Sequence, residues 1–141
     1  MSRLLSSNGD DHPDAAQKHL QDAGVLLAQQ RPDGAAYLSG YVVECALKSL
    51  HALETGQAPV GHDFRSLVGQ VNAVASVAGA KTAKYWGRAT SGVLTSAIGN
   101  WKPGMRYHAP ALELGDAQRW HACARDVFRE TIHQMKLDGV L

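Results

Sequence analysis

The sequence predicts an all-α fold, an antiparallel up-and-down bundle of about five helices, and three observations carry that prediction. Apolar residues recur at three- and four-residue spacing through several long stretches, the period of a helix with one buried face. No stretch alternates polar and apolar residues between hairpin turns, so no strand is expected. The helical stretches are joined by short links rich in glycine and proline, which favours antiparallel neighbours.

Residues 1–12, which include Ser6-Ser7-Asn8-Gly9-Asp10, read as a disordered tail, and residues 13–141 as a single domain. Pro13 suits the first turn of a helix whose Leu20, Ala23, Leu26 and Leu27 form an apolar face, up to about Gln30. Arg31-Pro32-Asp33-Gly34 breaks it, with Asp33 placed to cap a second helix that stops near Gly56. After a turn-rich link, Asp63 caps a third helix that points Phe64, Leu67, Val68, Val71, Val74 and Val77 inward and ends at Gly79. From 81 to about 99, Tyr85, Trp86, Ala89, Val93, Ala97 and Ile98 fit a helix that Gly87 and Gly92 weaken. Residues 101–110 hold two prolines and a glycine and read as irregular. Asp116 then caps a last helix with Trp120, Ala124, Val127, Phe128, Ile132 and Met135 on its buried face.

Composition narrows the function classes. With 141 residues, 45% hydrophobic and 19% charged, the chain is an ordinary globular one of single-domain size. A formal net charge of +1 gives no global attraction to nucleic acid, so any such binding needs a local patch. No apolar run approaches the roughly 20 residues of a membrane span and the start lacks a signal-peptide core, so the expectation is a cytoplasmic protein with no membrane partner. Cys45 and Cys123 read as reduced, small apolar residues. His121 and Cys123 form a His-x-Cys pair with no matching ligands nearby, so neither a metal nor another cofactor is expected.

The most informative stretch lies in the second helix. Leu38, Val42, Ala46, Leu50 and Leu53 make an apolar ridge, and beside it Tyr37, Tyr41, Glu44, Lys48 and His51 recur at helical spacing as a polar and aromatic stripe. Such a stripe can hydrogen-bond, stack and carry charge. It can equally be a solvated edge, where an i,i+4 Glu–Lys pair contributes about 0.3 kcal/mol.

Three further features carry chemistry. Gly61-His62-Asp63-Phe64 sets an imidazole beside a helix start. The loop at 101–110 gathers Trp101, Arg106, Tyr107 and His108; Arg106 can grip a phosphate, or can tie the loop to a carboxylate such as Glu44. Arg125, Arg129, His133 and Lys136 recur on the last helix as a basic strip, either a nucleic-acid contact or a solvated face.

Taken in order, Tyr37-x-x-Gly40-Tyr41-x-x-Glu44-x-x-x-Lys48, Gly61-His62-Asp63-Phe64-x-x-Leu67 and Trp101-x-Pro103-x-x-Arg106-Tyr107 resemble the HEPN domain over roughly residues 13 to 137. The resemblance implies a helical bundle, frequently dimeric, linked to nucleotide binding and often encoded beside a minimal nucleotidyltransferase in toxin–antitoxin or stress-related pairs. Some such domains are metal-independent RNases that use Arg followed by four to six residues and then His. Here Arg106 meets His108 too early, and Arg129 and Arg125 meet His133 after three and seven intervening residues. That spacing is absent.

Three functional readings are open at the level of sequence. The first is a non-catalytic nucleotide- or nucleic-acid-binding module partnered with a nucleotidyltransferase-like protein. Its ligand residues would be Tyr37, Tyr41, Glu44, Lys48, His62, Arg106 and Tyr107, with Arg125, Arg129 and Lys136 as a nucleic-acid strip. The second is an RNase toxin with an atypical arrangement of Arg106 with His108 or His133. The third is an interaction protein whose polar stripe is a structural network. A homodimer is expected in which Arg125 and Arg129, or the Arg106 loop, approach their copies.

Overall fold

In the computed structural model, which describes residues 1–141, every regular element is helical. α1 (His12–Ala28) starts with the Asp11 carboxylate accepting from the Asp14 N–H at 3.2 Å and with proline in its first turn. Its link to α2 (Pro32–Thr55) is short, and Gln30 turns there through positive φ. Gly56 ends α2 in the left-handed conformation, at φ 79°. α3 (Phe64–Ala75) starts at Asp63, whose carboxylate accepts from Ser66 N–H at 2.8 Å. The chain then runs through a 3₁₀ turn (Lys81–Tyr85), the short α4 (Arg88–Ser91), and 3₁₀ turns at Val93–Thr95 and Pro103–Tyr107. It closes with α5 (Leu114–Phe128), a π-helical segment (Arg129–His133) and α6 (Gln134–Leu137), which continue one another.

α2 is the hub, packed against α1, α3 and α5. Every residue from Val42 to Leu50 is buried. A helix enclosed on all sides needs apolar residues around its whole circumference, and Val42, Val43, Cys45, Ala46, Leu47 and Leu50 supply them. Ser39 and Ser49 turn their hydroxyls back onto the Ala35 and Cys45 carbonyls, each at 2.7 Å, so neither is left unpaired. Both cysteines are free, and burial pushes the Cys45 thiol up to about 12.

The bundle and its central helices agree with the sequence reading, and several local expectations need correction. Asp33 does not cap α2, because the helix starts two residues earlier, at Pro32, with Arg31 as its N-cap. The Asp33 carboxylate instead accepts from the Ala111 and Leu112 N–H groups at 3.1 and 3.3 Å. α5 likewise begins before Asp116: Glu113 is the cap, and Asp116 completes a capping box by accepting from the Glu113 N–H. α3 ends at Ala75 rather than Gly79, and Val77 is exposed.

Residues 81–99 form no continuous helix, and the reason lies elsewhere in the chain. Glu54 of α2 accepts from both the backbone N–H and the hydroxyl of Thr82, at 2.9 and 2.8 Å. Glu130, in the π segment, accepts from Ala89 N–H, Thr90 N–H and the Thr90 hydroxyl, at 2.8–2.9 Å. Each carboxylate takes N–H groups that a through-going helix would have paired internally, so the chain restarts twice. Gly87 leaves room for the second, since a Cβ there would overlap the Glu130 carboxylate.

Of residues 1–12, read as tail, Asp11 and His12 are the cap and first residue of α1, and turns form within residues 1–10. Ser2 reaches the Asp11 carboxylate with its N–H (2.7 Å) and its hydroxyl (2.8 Å), and Arg3 donates to the Gly139 carbonyl at 3.1 Å.

Candidate functional site

Trp101 organises the polar stripe of α2. Its indole N–H donates to the Tyr37 carbonyl at 3.0 Å, its ring stacks on Phe64 at 5.1 Å, and the Tyr41 ring meets it edge-on at 4.9 Å. The indole reaches the backbone of α2 because residue 40 is glycine; a Cβ there would overlap it. One buried side chain thus joins the middle of α2, the start of α3 and the loop that carries Arg106.

On the side toward the start of α2, the Tyr37 and Tyr41 hydroxyls lie 3.0 Å apart with their rings edge to face. Burial, and then the Tyr37 hydroxyl, raise the Tyr41 phenol to about 12, so it stays protonated at any physiological pH. Beyond Tyr37 opens a groove of about 360 Å³ between the start of α2 and the loop, lined by Asp33, Tyr37, Met105, Arg106 and His108 among others. Arg106 is exposed and has no carboxylate partner, and its guanidinium lies over the Tyr107 ring at 4.8 Å. The Tyr37 and Tyr107 phenols beside it raise its pKa above the usual arginine value. Tyr107 itself is 79% exposed, an aromatic face open to solvent.

On the other side, the Lys48 ammonium contacts Glu44 Oε1 at 2.9 Å, and His62 Nδ1 approaches both Glu44 oxygens at 2.8–2.9 Å. Glu44 and Lys48 are 4% and 7% exposed, so the energetics of a solvated i,i+4 pair do not apply to them. His62 is more open and forms the solvent side of the cluster. Arg106 does not join it: of the two roles open to the loop arginine, the tie to Glu44 is absent, and that carboxylate is held by Lys48 and His62. His51, the last member of the stripe, contacts the Gln57 carbonyl at 2.8 Å and fastens the end of α2.

The candidate residues therefore divide. Tyr37, Arg106 and His108 share a groove, with Tyr41 and Tyr107 beside it. Glu44, Lys48 and His62 form a separate polar cluster along the same helix, and Tyr41 borders both, its ring 6.4 Å from His62.

The basic strip on the last helix is divided as well. The π segment inserts an extra residue into the turn and rotates α6 relative to α5. Arg125 and Arg129 are exposed, and Arg129 shares a shallow depression with Arg88, Asp126 and Glu130. Lys136 turns to α1, bonding Gln17 and standing 3.7 Å from Asp14. His133 is exposed on the π segment and does not line the Arg106 groove.

Sequence reasoning missed two half-buried histidines, His12 and His19, and weighed a third, His121, only as a metal ligand. His12, His19 and His121 are each held below the usual imidazole value, chiefly by burial. His19 packs its ring 5.5 Å from Tyr41, and its buried Nδ1 has no hydrogen-bond partner. Its place on the inner face of the first helix was the available signal.

No helix is long and apolar enough to cross a membrane. Neither a curated protein nor a solved structure matches the chain. A family model does: that of the HEPN domain matches residues 11–134, from the cap of α1 into α6. With that match over most of its length and an all-helical bundle built around α2, the chain belongs to the HEPN domain family.

Proposed function

We propose that the protein is a non-catalytic nucleotide- or nucleic-acid-binding module whose ligand enters the groove between Tyr37 and the Arg106 loop. Family membership supports a nucleotide- or RNA-handling role in general. The observation that carries the finer reading is Arg106: an exposed guanidinium without a carboxylate partner, set over an exposed tyrosine at the rim of a groove. An arginine without a carboxylate partner keeps its charge and planar fork of donors for a phosphate, while Tyr107 and Tyr37 offer faces for a base. Asp33 does not oppose a phosphate strongly, since one of its oxygens is taken by two loop N–H groups. In this reading Glu44, Lys48 and His62 lie outside the groove and tie α2 to the start of α3 rather than touch the ligand.

Calorimetric titration with mono- and dinucleotides tests it. Binding in the micromolar to millimolar range is expected, weakened at least tenfold by Arg106→Ala and less by Tyr107→Ala. No heat at millimolar nucleotide removes the reading. The physiological arrangement proposed with it is a pair with a minimal nucleotidyltransferase, in a toxin–antitoxin or stress-related system. A nucleotidyltransferase encoded next to this chain, and copurifying with it, is the corresponding check.

A second reading is favoured by one observation: Arg106 and His108 line the same groove. Arginine can stabilise charge on a phosphoryl group and a neutral imidazole can move a proton, the two roles of a metal-independent RNase. It predicts cleavage of unstructured RNA in the presence of chelator, lost in both Arg106→Ala and His108→Ala.

A further inference from the structure

A larger hollow, of about 760 Å³, lies farther along α2 and away from Arg106. The N-terminal residues, Ser7 and Asn8 among them, wall one side, the link that ends at Gly61 walls the other, and Lys48 and Ala52 of α2 lie at its inner side. Lys48 is more than nine-tenths buried, yet its ammonium has a single protein partner, Glu44 Oε1 at 2.9 Å. An ammonium has three N–H donors, and buried donors without acceptors are costly. Glu44 is moreover shared with His62, which approaches both of its oxygens.

The rest of the lining suits an acceptor-rich guest. Arg3 adds a second cation, with one of its guanidinium nitrogens used on the Gly139 carbonyl. His12 also lines the hollow; burial, and then the charge of Lys48, hold it below the usual imidazole value, so at neutral pH it adds a polar but uncharged group. Asp10 is the one carboxylate on the wall, and the Asn8 amide already donates to it at 3.0 Å. We propose that this hollow is a second binding site, distinct from the Tyr37–Arg106 groove, that takes a small molecule through a phosphate or carboxylate group whose oxygens accept from the Lys48 ammonium.

Amide chemical shifts of the uniformly labelled full chain, titrated separately with inorganic phosphate and with acetate, provide the test. Saturable shifts are expected at Ser7, Asn8 and Gly61 in the millimolar range, and they persist in Arg106→Ala, which separates this site from the groove. Lys48→Gln should weaken them at least tenfold. Because that change also removes a partner of buried Glu44 and can unfold the chain, Ala52→Leu is the companion variant; it fills the hollow from α2, leaves the ion pair in place, and should weaken binding likewise. A response to phosphate alone assigns the site to phosphate compounds, and a response to both anions assigns it to anionic groups in general. Absence of shifts with either anion, shifts that Ala52→Leu leaves unchanged, or shifts confined to residues 106–112 overturn the proposal.

Discussion

Trp101 donates its indole N–H to the carbonyl of Tyr37 across 3.0 Å, on a stretch of α2 where glycine replaces a side chain. That hydrogen bond fixes the distance between the aromatic stripe of α2 and the loop bearing Arg106. Gly40→Ala would drive a methyl group into the indole. It should gain about 1 kcal/mol in helix propensity, but a methyl 2.0 Å from the buried, rigid indole puts the overpacking loss toward the top of about 1–3 kcal/mol, so destabilisation wins. Urea denaturation followed by tryptophan fluorescence checks it; a variant as stable as the parent would show that Trp101 can move aside freely.

Stability distinguishes the buried Glu44–Lys48 pair from the exposed Arg106 of the nucleotide groove. Lys48→Met leaves a buried carboxylate with only His62, and a loss of about 3–5 kcal/mol is expected. Glu44→Gln should also destabilise, and the double variant should recover part of the loss because the uncompensated charge is gone. Arg106→Met, by contrast, removes an exposed side chain with no carboxylate partner and should change stability by less than about 0.5 kcal/mol while weakening nucleotide binding. Equal stability losses at Lys48 and Arg106 would contradict this division.

Stability should fall on mild acidification. His12, His19 and His121 have folded-state pKa values below the unfolded value near 6.5, so below that pH the unfolded chain binds more protons. Their contribution is complete above about pH 6.5 and is lost progressively as pH drops toward the lowered folded values. Asp11 and Glu54 have depressed values too, but their contribution starts to be lost only as pH falls through the unfolded carboxylate values, near 3.8 and 4.5. Urea midpoints at pH 7.5, 6.5 and 6.0 should therefore already decline, above the range in which the carboxylates titrate. His19→Phe keeps the ring against Tyr41, removes the unpartnered buried nitrogen and should flatten the decline; an unchanged slope would assign it elsewhere.

The helices and the polar stripe were legible in the sequence because both arise from a 3.6-residue period, which survives in a single chain. Asp63 and Gly56 were legible because a cap acts within one turn of itself. What the period could not show was that Glu44 and Lys48 are buried, since that depends on α1, α3 and α5 closing around α2. Nor could it show that Glu54 and Glu130 interrupt residues 81–99, because those bonds span 28 and about 40 positions. The same limit hid the fact that Arg106 has no carboxylate partner. A loop arginine and a helix carboxylate looked like a pair, and only the position of His62 shows that the carboxylate is already held.

Glu130 offers a test of how those short helices are held. Its carboxylate satisfies two backbone donors and one hydroxyl at the start of α4, a segment of four residues that cannot stand by propensity alone. Glu130→Gln keeps the shape but weakens the bonds by removing the charge, and about 1–2 kcal/mol should be lost. Glu130→Ala should cost more and raise hydrogen exchange at the Ala89 and Thr90 amides first. Protection at those two amides that survives Glu130→Ala would mean that α4 is held by its apolar contacts alone.

HEPN domains often dimerise, and this chain carries separated rather than concentrated positive charge: Arg106 at the groove, Arg125 and Arg129 on α5 and the π segment. With a net charge of +1, a monomer has little field with which to hold a phosphate backbone. A two-fold pairing through either region would bring each arginine near its copy and double the local positive charge without changing the sequence. Light scattering at micromolar concentration should give about twice the 15.1 kDa chain mass. Binding to single-stranded RNA should then weaken as salt rises, with a log–log slope of roughly 0.7 in magnitude for each phosphate that the protein neutralises. Since every dimer carries two copies of each arginine, Arg129→Glu should reduce the slope by more than a single phosphate accounts for. A monomeric mass, or a slope that Arg129→Glu leaves unchanged, counts against a paired basic surface.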